Sequence, residues 1–184
     1  GQSITSLSKG SPYFERLQAQ IESGFNLTND QSNDYQLGSL FWIQGEADAD
    51  NQNITKESYK SKLIQLHTQV KTIYSNLLQS RVELPLLLSQ VAHKQAIDQK
   101  ISQSQWEVAK ENQEIYFVTP IYFLPHNTDG VHLTNVGYKW LGAYFGRAYY
   151  QIVINDQKIK PLVTIQAIAK NKQLIEIRYN VPVQ

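Results

Sequence analysis

The sequence predicts an α/β fold: a three-layer α/β/α sandwich around a parallel sheet, with a β-hairpin segment at its C-terminal end. Two observations lead to this fold class. Three short apolar runs are nearly continuous rather than alternating, which is typical of strands buried on both faces of a parallel sheet. Amphipathic segments follow these runs after short connections, as in units with right-handed crossovers. The three predicted strands lie within residues 37–44, 84–92 and 115–123.

Four helices are predicted, over residues 12–23, 56–80, 95–112 and 134–151. The clearest is the helix over 56–80, in which apolar residues recur every three or four positions with polar residues between them. His67 is expected on the exposed side of this helix, and Ile97 on the buried side of the helix over 95–112. The last helix is expected to bury one apolar stripe, formed by Leu141, Phe145, Ala148 and Ile152.

The composition is that of one ordinary globular domain with a short appendage. The chain has 184 residues, of which 41% are hydrophobic and 18% charged. Seventeen basic and sixteen acidic residues give no charge imbalance of the kind that binds nucleic acid, and no apolar stretch approaches the roughly 20 residues of a membrane span. The absence of cysteine excludes disulfides, thiol catalysis and cysteine-ligated zinc.

The organisation of the chain changes near residue 152. Residues 1–152 are predicted to form the α/β domain. Residues 153–184 contain two β-type segments separated by "KNKQ", which predicts a hairpin. Because a lone hairpin is marginally stable in water, this segment is expected to begin a neighbouring β-domain or to pack against the α/β body. The sequence has no methionine, even at position 1, which indicates a processed chain or the interior of a longer polypeptide.

The first candidate functional motif is "FWIQGEADAD" (41–50), where a buried strand ends in Gln44, Gly45 and Glu46. Ligands of open parallel sheets bind beyond the carboxyl ends of the strands, so an amide and a carboxylate at this point indicate a site. A polar strand end with a turn glycine is the simpler interpretation. The acidic residues also suggest a calcium loop, but Asn53 replaces its glycine and Tyr59 its final glutamate, so no metal site is predicted.

The second candidate motif is "NTDGVHLTNVGYKWLG" (127–142), in which Asp129 and His132 are three residues apart in a loop that enters a helix. A carboxylate that holds one imidazole nitrogen fixes the tautomer and leaves the other nitrogen free to take a proton from a hydroxyl nucleophile. The alternative is a surface turn followed by a helix capped near Thr134.

Taken together, the two motifs resemble the SGNH hydrolases, and within them the sialate O-acetylesterase-like branch of carbohydrate esterases. The resemblance rests on W-x-Q-G-E-x-D from Trp42 to Asp48 and on the D-x-V-H-L-T block that begins at Asp129, and it spans roughly residues 1 to 150. It includes Ser89-Gln90 at the end of the middle strand. It implies an SGNH or flavodoxin-like α/β fold.

The resemblance also implies roles for individual residues. His132 would be the general base and Asp129 its orienting partner. Gln44 and Gly45 would lie near the oxyanion, with Glu46 beside them in the substrate site. No metal or other cofactor is implied. His93 could line the pocket and His126 could contact substrate, but neither is expected to be essential.

The nucleophile is the open question, because Ser3 lies in "GQSI" where the family has a G-Q-S-N segment after its first strand. Three features count against Ser3: no strand precedes Gly1, Ile4 replaces the asparagine, and only 41 residues separate Ser3 from Gln44. The favoured alignment makes this segment the second block of the family, in which a backbone N–H of Gly1 binds the oxyanion. The domain would then lack its first strand, and the catalytic serine would lie upstream of Gly1.

The leading functional hypothesis is a carbohydrate O-acetylesterase that acts through a serine acyl-enzyme assisted by Asp129 and His132. Its partners would be an O-acetylated carbohydrate and other segments of a longer parent chain, with no nucleic acid and no membrane. The alternative is a non-catalytic carbohydrate-binding or structural module, as in a phage tail fibre or surface protein. An extracellular, cell-surface or virion-associated location is favoured. A weaker rival is an α/β fragment in which Asp129 and His132 are merely structural.

Overall fold

The computed structural model describes residues 1–30, 35–93, 97–159 and 162–180. In these ranges, helices and strands follow one another in this order: α1 (Pro12–Asp30), β1 (Leu40–Trp42), α2 (Glu46–Ala49), α3 (Lys56–Leu78), β2 (Leu86–Gln90), α4 (Lys100–Glu111), β3 (Ile115–Pro120), α5 (Asn135–Tyr149), a π-helical turn (Tyr150–Ile154), β4 (Thr164–Ala169) and β5 (Ile175–Tyr179). None of the described helices is both long enough and apolar enough to span a membrane.

The central sheet contains β1, β2 and β3 in that order, and both pairs are parallel. Leu86 of β2 aligns with Leu40 of β1 on one side and with Ile115 of β3 on the other. Each strand lies within its predicted apolar run but is shorter than the run. The parallel sheet predicted from the sequence is confirmed.

Two hydrophobic clusters lie on opposite faces of this sheet. Leu86 and Leu88 of β2 belong to the cluster that includes buried residues of α1, α3 and α4, whereas Leu87 belongs to the cluster formed with α5. The predicted stripe of α5 is buried in this second cluster, through Leu141, Phe145, Ala148 and the following Ile152. Three successive leucines are fully buried because the strand has helices on both faces. The predicted three-layer arrangement is therefore confirmed.

The ends of the helices follow from local capping. The side chain of Thr55 accepts a hydrogen bond from the Ser58 N–H and begins α3, and a left-handed Gln79 ends it, close to the predicted limits of 56 and 80. In contrast, α4 begins at Lys100, five residues after its predicted start, because the Asp98 side chain accepts the Lys100 N–H there. Ile97 precedes this helix and is 88% exposed, so its predicted burial is wrong.

His67 is buried, which corrects its predicted exposure. It lies four residues after Leu63 and three before Val70, so it belongs to the apolar stripe of α3. Its Nε2 is 2.6 Å from the carbonyl oxygen of Leu84, which precedes β2. This hydrogen bond satisfies a polar side chain inside the core, and burial lowers the pKa of His67 below its ordinary value.

The C-terminal segment forms an antiparallel hairpin of β4 and β5, as predicted. Ile175, Ile177 and Tyr179, which share one face of β5, are exposed. The π-helical turn crosses residue 152, where the sequence predicts the domain boundary. That boundary stays a prediction, as does a following β-domain; residues 181–184 of the predicted β-segment lie outside the described ranges.

We expect the free energy of unfolding to decrease as the pH falls from about 7 to about 5, partly through His67. Because burial lowers the pKa of this imidazole in the folded chain, the unfolded chain binds the proton more readily. Urea unfolding at several pH values measures the slope. His67→Gln keeps an N–H donor for the Leu84 carbonyl and should show a shallower slope, whereas His126→Gln serves as control. An unchanged slope in His67→Gln would contradict the assignment.

Candidate active site

A cavity of about 470 Å³ lies at the carboxyl-terminal edge of the parallel sheet. Gly1, Glu46 and Asp50 line one side of it, and His132 and Tyr138 line the other. Glu46 begins the short helix α2 after β1, and His132 lies in the loop that enters α5. The two motifs, some eighty residues apart in sequence, therefore meet at one rim, where ligands of parallel sheets bind.

The Asp129–His132 pair lies at this rim with the geometry of a carboxylate–imidazole pair. Asp129 Oδ2 is 2.9 Å from His132 Nδ1, and Asp129 Oδ1 accepts the backbone N–H groups of Val131 and His132 at 2.8 and 2.9 Å. The backbone hydrogen bond from His132, followed by that from Val131, lowers the pKa of Asp129 to about 2. An ionised Asp129 keeps the proton of His132 on Nδ1, so Nε2 is the nitrogen that can accept one.

The loop that carries this pair is closed on itself. The Asn127 N–H donates to the His132 carbonyl at 2.8 Å, and the Thr134 N–H donates to the Pro125 carbonyl at 2.9 Å. Gly130 adopts a positive φ of 67° at the turn. Thr134 caps α5 by accepting the Gly137 N–H at 3.1 Å. The capped helix that was the alternative interpretation is thus present together with the Asp129–His132 pair, and it supports that pair.

Gln44 lies behind the cavity wall rather than among the residues that line the cavity. Its Nε2 donates to the Gln2 carbonyl at 3.0 Å and to the Asp48 carboxylate, while its Oε1 accepts the Tyr59 hydroxyl at 2.9 Å. Both N–H groups of its amide are therefore engaged within the chain. The predicted position of Gln44 near an oxyanion stays a prediction. In this structure its side chain binds the backbone of Gln2.

Gly45 connects β1 to α2 with a φ of 147°, a conformation that side chains rarely adopt. A Cβ atom there would lie 3.0 Å from both Gln105 Nε2 and Ile101 Cγ2. Gln105 donates to the Gln44 carbonyl at 2.6 Å and accepts the Val91 N–H at 2.7 Å. The glycine thus lets α4 approach the strand end closely. Its predicted place near the oxyanion is untested.

Ser3 does not line the cavity, although Gly1 does. The Ser3 hydroxyl lies 3.0 Å from the Ser6 hydroxyl and accepts the Ser6 N–H at 3.2 Å, so it supports a local turn. Ile4 is fully buried, and its N–H donates to Asp48 at 2.8 Å. The roles predicted for Ser3 and Gly1 both stay predictions.

The remaining candidates lie around the same rim. His93 Nε2 is 2.9 Å from Asp50 Oδ1, and Asp50 lines the cavity, so His93 lies behind that wall. His126 Nδ1 contacts the Leu124 carbonyl oxygen at 2.7 Å. In the described part of the chain, no group of three or more potential ligands could hold a metal ion. Asp48, considered above for calcium, instead holds the backbone of Ile4.

Three buried residues lie behind the cavity and form hydrogen bonds with Ile4 or Gln44, and the sequence did not assign them to the site. They are Asp48, Tyr59 and Gln105. The four-residue spacing of Gln44 and Asp48 across the start of a helix was the available signal for Asp48. Tyr59 entered the sequence argument only as the residue in place of the final glutamate of a calcium loop. Nothing local indicated Gln105, because its partner Gln44 lies 61 residues away.

A family model described as carbohydrate esterase, sialic acid-specific acetylesterase, matches residues 1–151. The chain belongs to this family. The fold of this chain is similar to that of an Arabidopsis thaliana protein solved by X-ray crystallography, with a TM-score of 0.68 and 22% sequence identity. The match covers 83% of this chain and 58% of the plant protein, and at that identity it shows the fold alone. A comparison with curated proteins found no match to this chain.

Replacement of Gly45 by alanine should destabilise the fold by about 2 kcal/mol or more, because the positive φ and the close approach of α4 both oppose a Cβ atom. Gly142→Ala is the matched control. Gly142 is exposed in α5 with no atom near its would-be Cβ, so alanine should stabilise the helix by up to about 1 kcal/mol. Urea unfolding of both variants measures the difference, and equal stability would contradict the account of Gly45.

Proposed function

We propose that this carbohydrate esterase removes O-acetyl groups from a carbohydrate through a serine acyl-enzyme, with His132 as general base and Asp129 as its orienting partner. The observation that carries the proposal is the Asp129–His132 pair at the edge of a 470 Å³ cavity. A cavity of this size suits one or two sugar rings. Gly1 and Glu46, which line the same cavity, supply backbone and carboxylate groups for orienting hydroxyls.

The reaction follows from the arrangement of the pair. His132 Nε2 takes the proton of a serine hydroxyl as its oxygen attacks the acetyl carbonyl carbon, while Asp129 stabilises the imidazolium through Nδ1. The tetrahedral oxyanion is bound by the backbone N–H at Gly1. His132 then returns the proton to the departing sugar oxygen, which leaves an acetyl-serine. A water molecule, deprotonated by His132, then attacks the acetyl carbonyl carbon. The bond to the serine oxygen breaks, His132 returns the proton to that oxygen, and acetic acid leaves and ionises to acetate.

We further propose that the nucleophile is a serine other than Ser3, upstream of Gly1 in the parent chain. Two observations support this. The Ser3 hydroxyl forms a hydrogen bond with the Ser6 hydroxyl, and Ser3 does not line the cavity, although Gly1 does. Residues 1–4 then serve as the loop that binds the oxyanion. An O-acetylated glycan as substrate accords with the predicted extracellular, cell-surface or virion-associated location, which is likewise a proposal.

Substitution of the pair should abolish most of the activity of the full-length protein on 4-nitrophenyl acetate and on an acetylated sugar. We expect His132→Ala to lower kcat by about 10³-fold and Asp129→Asn by about 10²- to 10⁴-fold. Because hydrogen bonds hold the pKa of Asp129 at about 2, its carboxylate stays ionised from about pH 4 to 9. Asp129→Asn should therefore lower kcat at every pH in that range.

Lys139→Ala, an exposed substitution on α5, is the control and should leave kcat unchanged. Full activity in His132→Ala would reject the proposed mechanism. A wild-type protein that binds acetylated glycans without hydrolysing them would instead support the non-catalytic alternative.

Ser3→Ala should retain at least about a tenth of wild-type activity, since the variant loses only the local hydrogen bonds to Ser6. Labelling of the full-length protein with a fluorophosphonate, followed by peptide mass spectrometry, identifies the reactive serine. We expect the label on a residue upstream of Gly1. A label on Ser3 together with an inactive Ser3→Ala variant would assign Ser3 as the nucleophile.

A further inference from the structure

We propose that Asp48 is a positioning residue that holds the segment from Gly1 to Ile4 at the wall of the cavity. The inference rests on the proposed function, because that segment matters to catalysis only if the cavity hydrolyses esters. Asp48 is fully buried in the first turn of α2. Its Oδ2 accepts the Ile4 N–H at 2.8 Å and a second N–H from the Gln44 amide.

A second hydrogen bond secures the same segment two residues earlier. The other contact of Gln44 Nε2 is to the Gln2 carbonyl oxygen at 3.0 Å. The two attachments, at Gln2 and Ile4, lie on either side of Ser3 and directly after Gly1. The Gln44–Asp48 pair therefore fixes the backbone position of both residues considered for the reaction. This holds whether Gly1 binds the oxyanion or Ser3 is the nucleophile.

The orientation of the Gln44 amide is itself determined by its surroundings. The Tyr59 hydroxyl oxygen receives the Trp42 indole N–H at 3.2 Å and an N–H of Gln105 at 3.1 Å. Its single proton is directed to Gln44, at 2.9 Å from Oε1 and more distantly at 3.4 Å from the backbone carbonyl, and burial keeps that proton in place by raising the pKa of Tyr59. With its oxygen facing Tyr59, the amide of Gln44 must direct its NH₂ group toward Asp48.

The two oxygens of the Asp48 carboxylate have different surroundings, and the difference indicates a role beyond packing. Its Oδ1 is buried and has no hydrogen-bond partner among the residues that the structure describes. A buried polar atom in this state is costly, and natural chains keep few of them. The compensating gain is at Oδ2, where two N–H donors converge on one oxygen and both hydrogen bonds are stronger when the acceptor is charged.

The test compares Asp48→Ala and Asp48→Asn in the full-length protein, with Glu57→Gln as the control for removal of a carboxylate. Glu57 is exposed on α3, away from the cavity. Amide hydrogen exchange at Ile4, followed by NMR of the uniformly ¹⁵N-labelled protein, reports on the attachment directly. We expect exchange at Ile4 to be at least about tenfold faster in Asp48→Ala, with exchange in β2 unchanged.

Kinetics on 4-nitrophenyl acetate report on the consequence. We expect Asp48→Ala to lower kcat by about 100-fold with KM changed by less than about threefold, because a displaced oxyanion donor weakens only the transition state. Asp48→Asn still presents one oxygen to both donors, so its exchange and kcat should fall between those of wild type and Asp48→Ala. Glu57→Gln should match the wild type in both measurements.

The two readouts separate the failure of this inference from the failure of the proposed function. Wild-type exchange at Ile4 in Asp48→Ala overturns the positioning role, and so does an unchanged kcat. A wild-type protein without esterase activity overturns the proposed function, while exchange at Ile4 still decides whether Asp48 holds the segment. If Asp48→Ala is unfolded, with β2 exchanging freely, the isosteric Asp48→Asn decides, and its wild-type behaviour in both assays overturns the inference.

Discussion

The hydrogen bond from the Ile4 N–H to the buried carboxylate of Asp48 joins two parts of the chain that lie 44 residues apart in sequence. Asp48 lies in α2, the short helix that follows strand β1 of the parallel sheet. Ile4 lies in a short loop with little structure of its own. The sheet fixes where the carboxyl ends of the strands meet. The bond to Ile4, with the companion bond to Gln2, adds the N-terminal segment to that edge. Without these two hydrogen bonds, Gly1 would have no defined place in the cavity.

The two walls of the cavity are built on different physical principles. The wall with Asp129 and His132 is local, since the two residues are three apart and the loop closes through its own backbone hydrogen bonds. The wall with Gly1 and Glu46 depends on contacts between distant segments, which pass through Gln44 and the buried Tyr59. Loss of the contacts around Gln44 should therefore disturb the second wall, whereas the Asp129–His132 contact itself is held within its own loop.

This difference also explains what the sequence revealed. The three apolar runs predicted the parallel sheet, because strands covered on both faces have no polar alternation, and Leu86 to Leu88 show this directly. The Asp129–His132 contact could be predicted because it requires only local geometry. The spacing of His67 matches the apolar stripe of α3, but no local pattern contains the carbonyl of Leu84, 17 residues away, which satisfies its ring in the core. The orientation of Gln44 depends on Gln105, 61 residues away, and no local pattern contains it.

The close approach of α5 to the loop before it has a consequence for how this fold diversifies. Gly137, in the first turn of the helix, lies so close to the Pro125 carbonyl that a Cβ atom on it would clash with that oxygen. The Thr134 N–H donates to the same carbonyl, so the loop and the start of the helix form one compact unit. Insertions between Asn127 and His132 would break its internal bonds. Variation at this cavity can therefore fall on helix side chains that line it, such as Tyr138, while the Asp129–His132 contact is left intact.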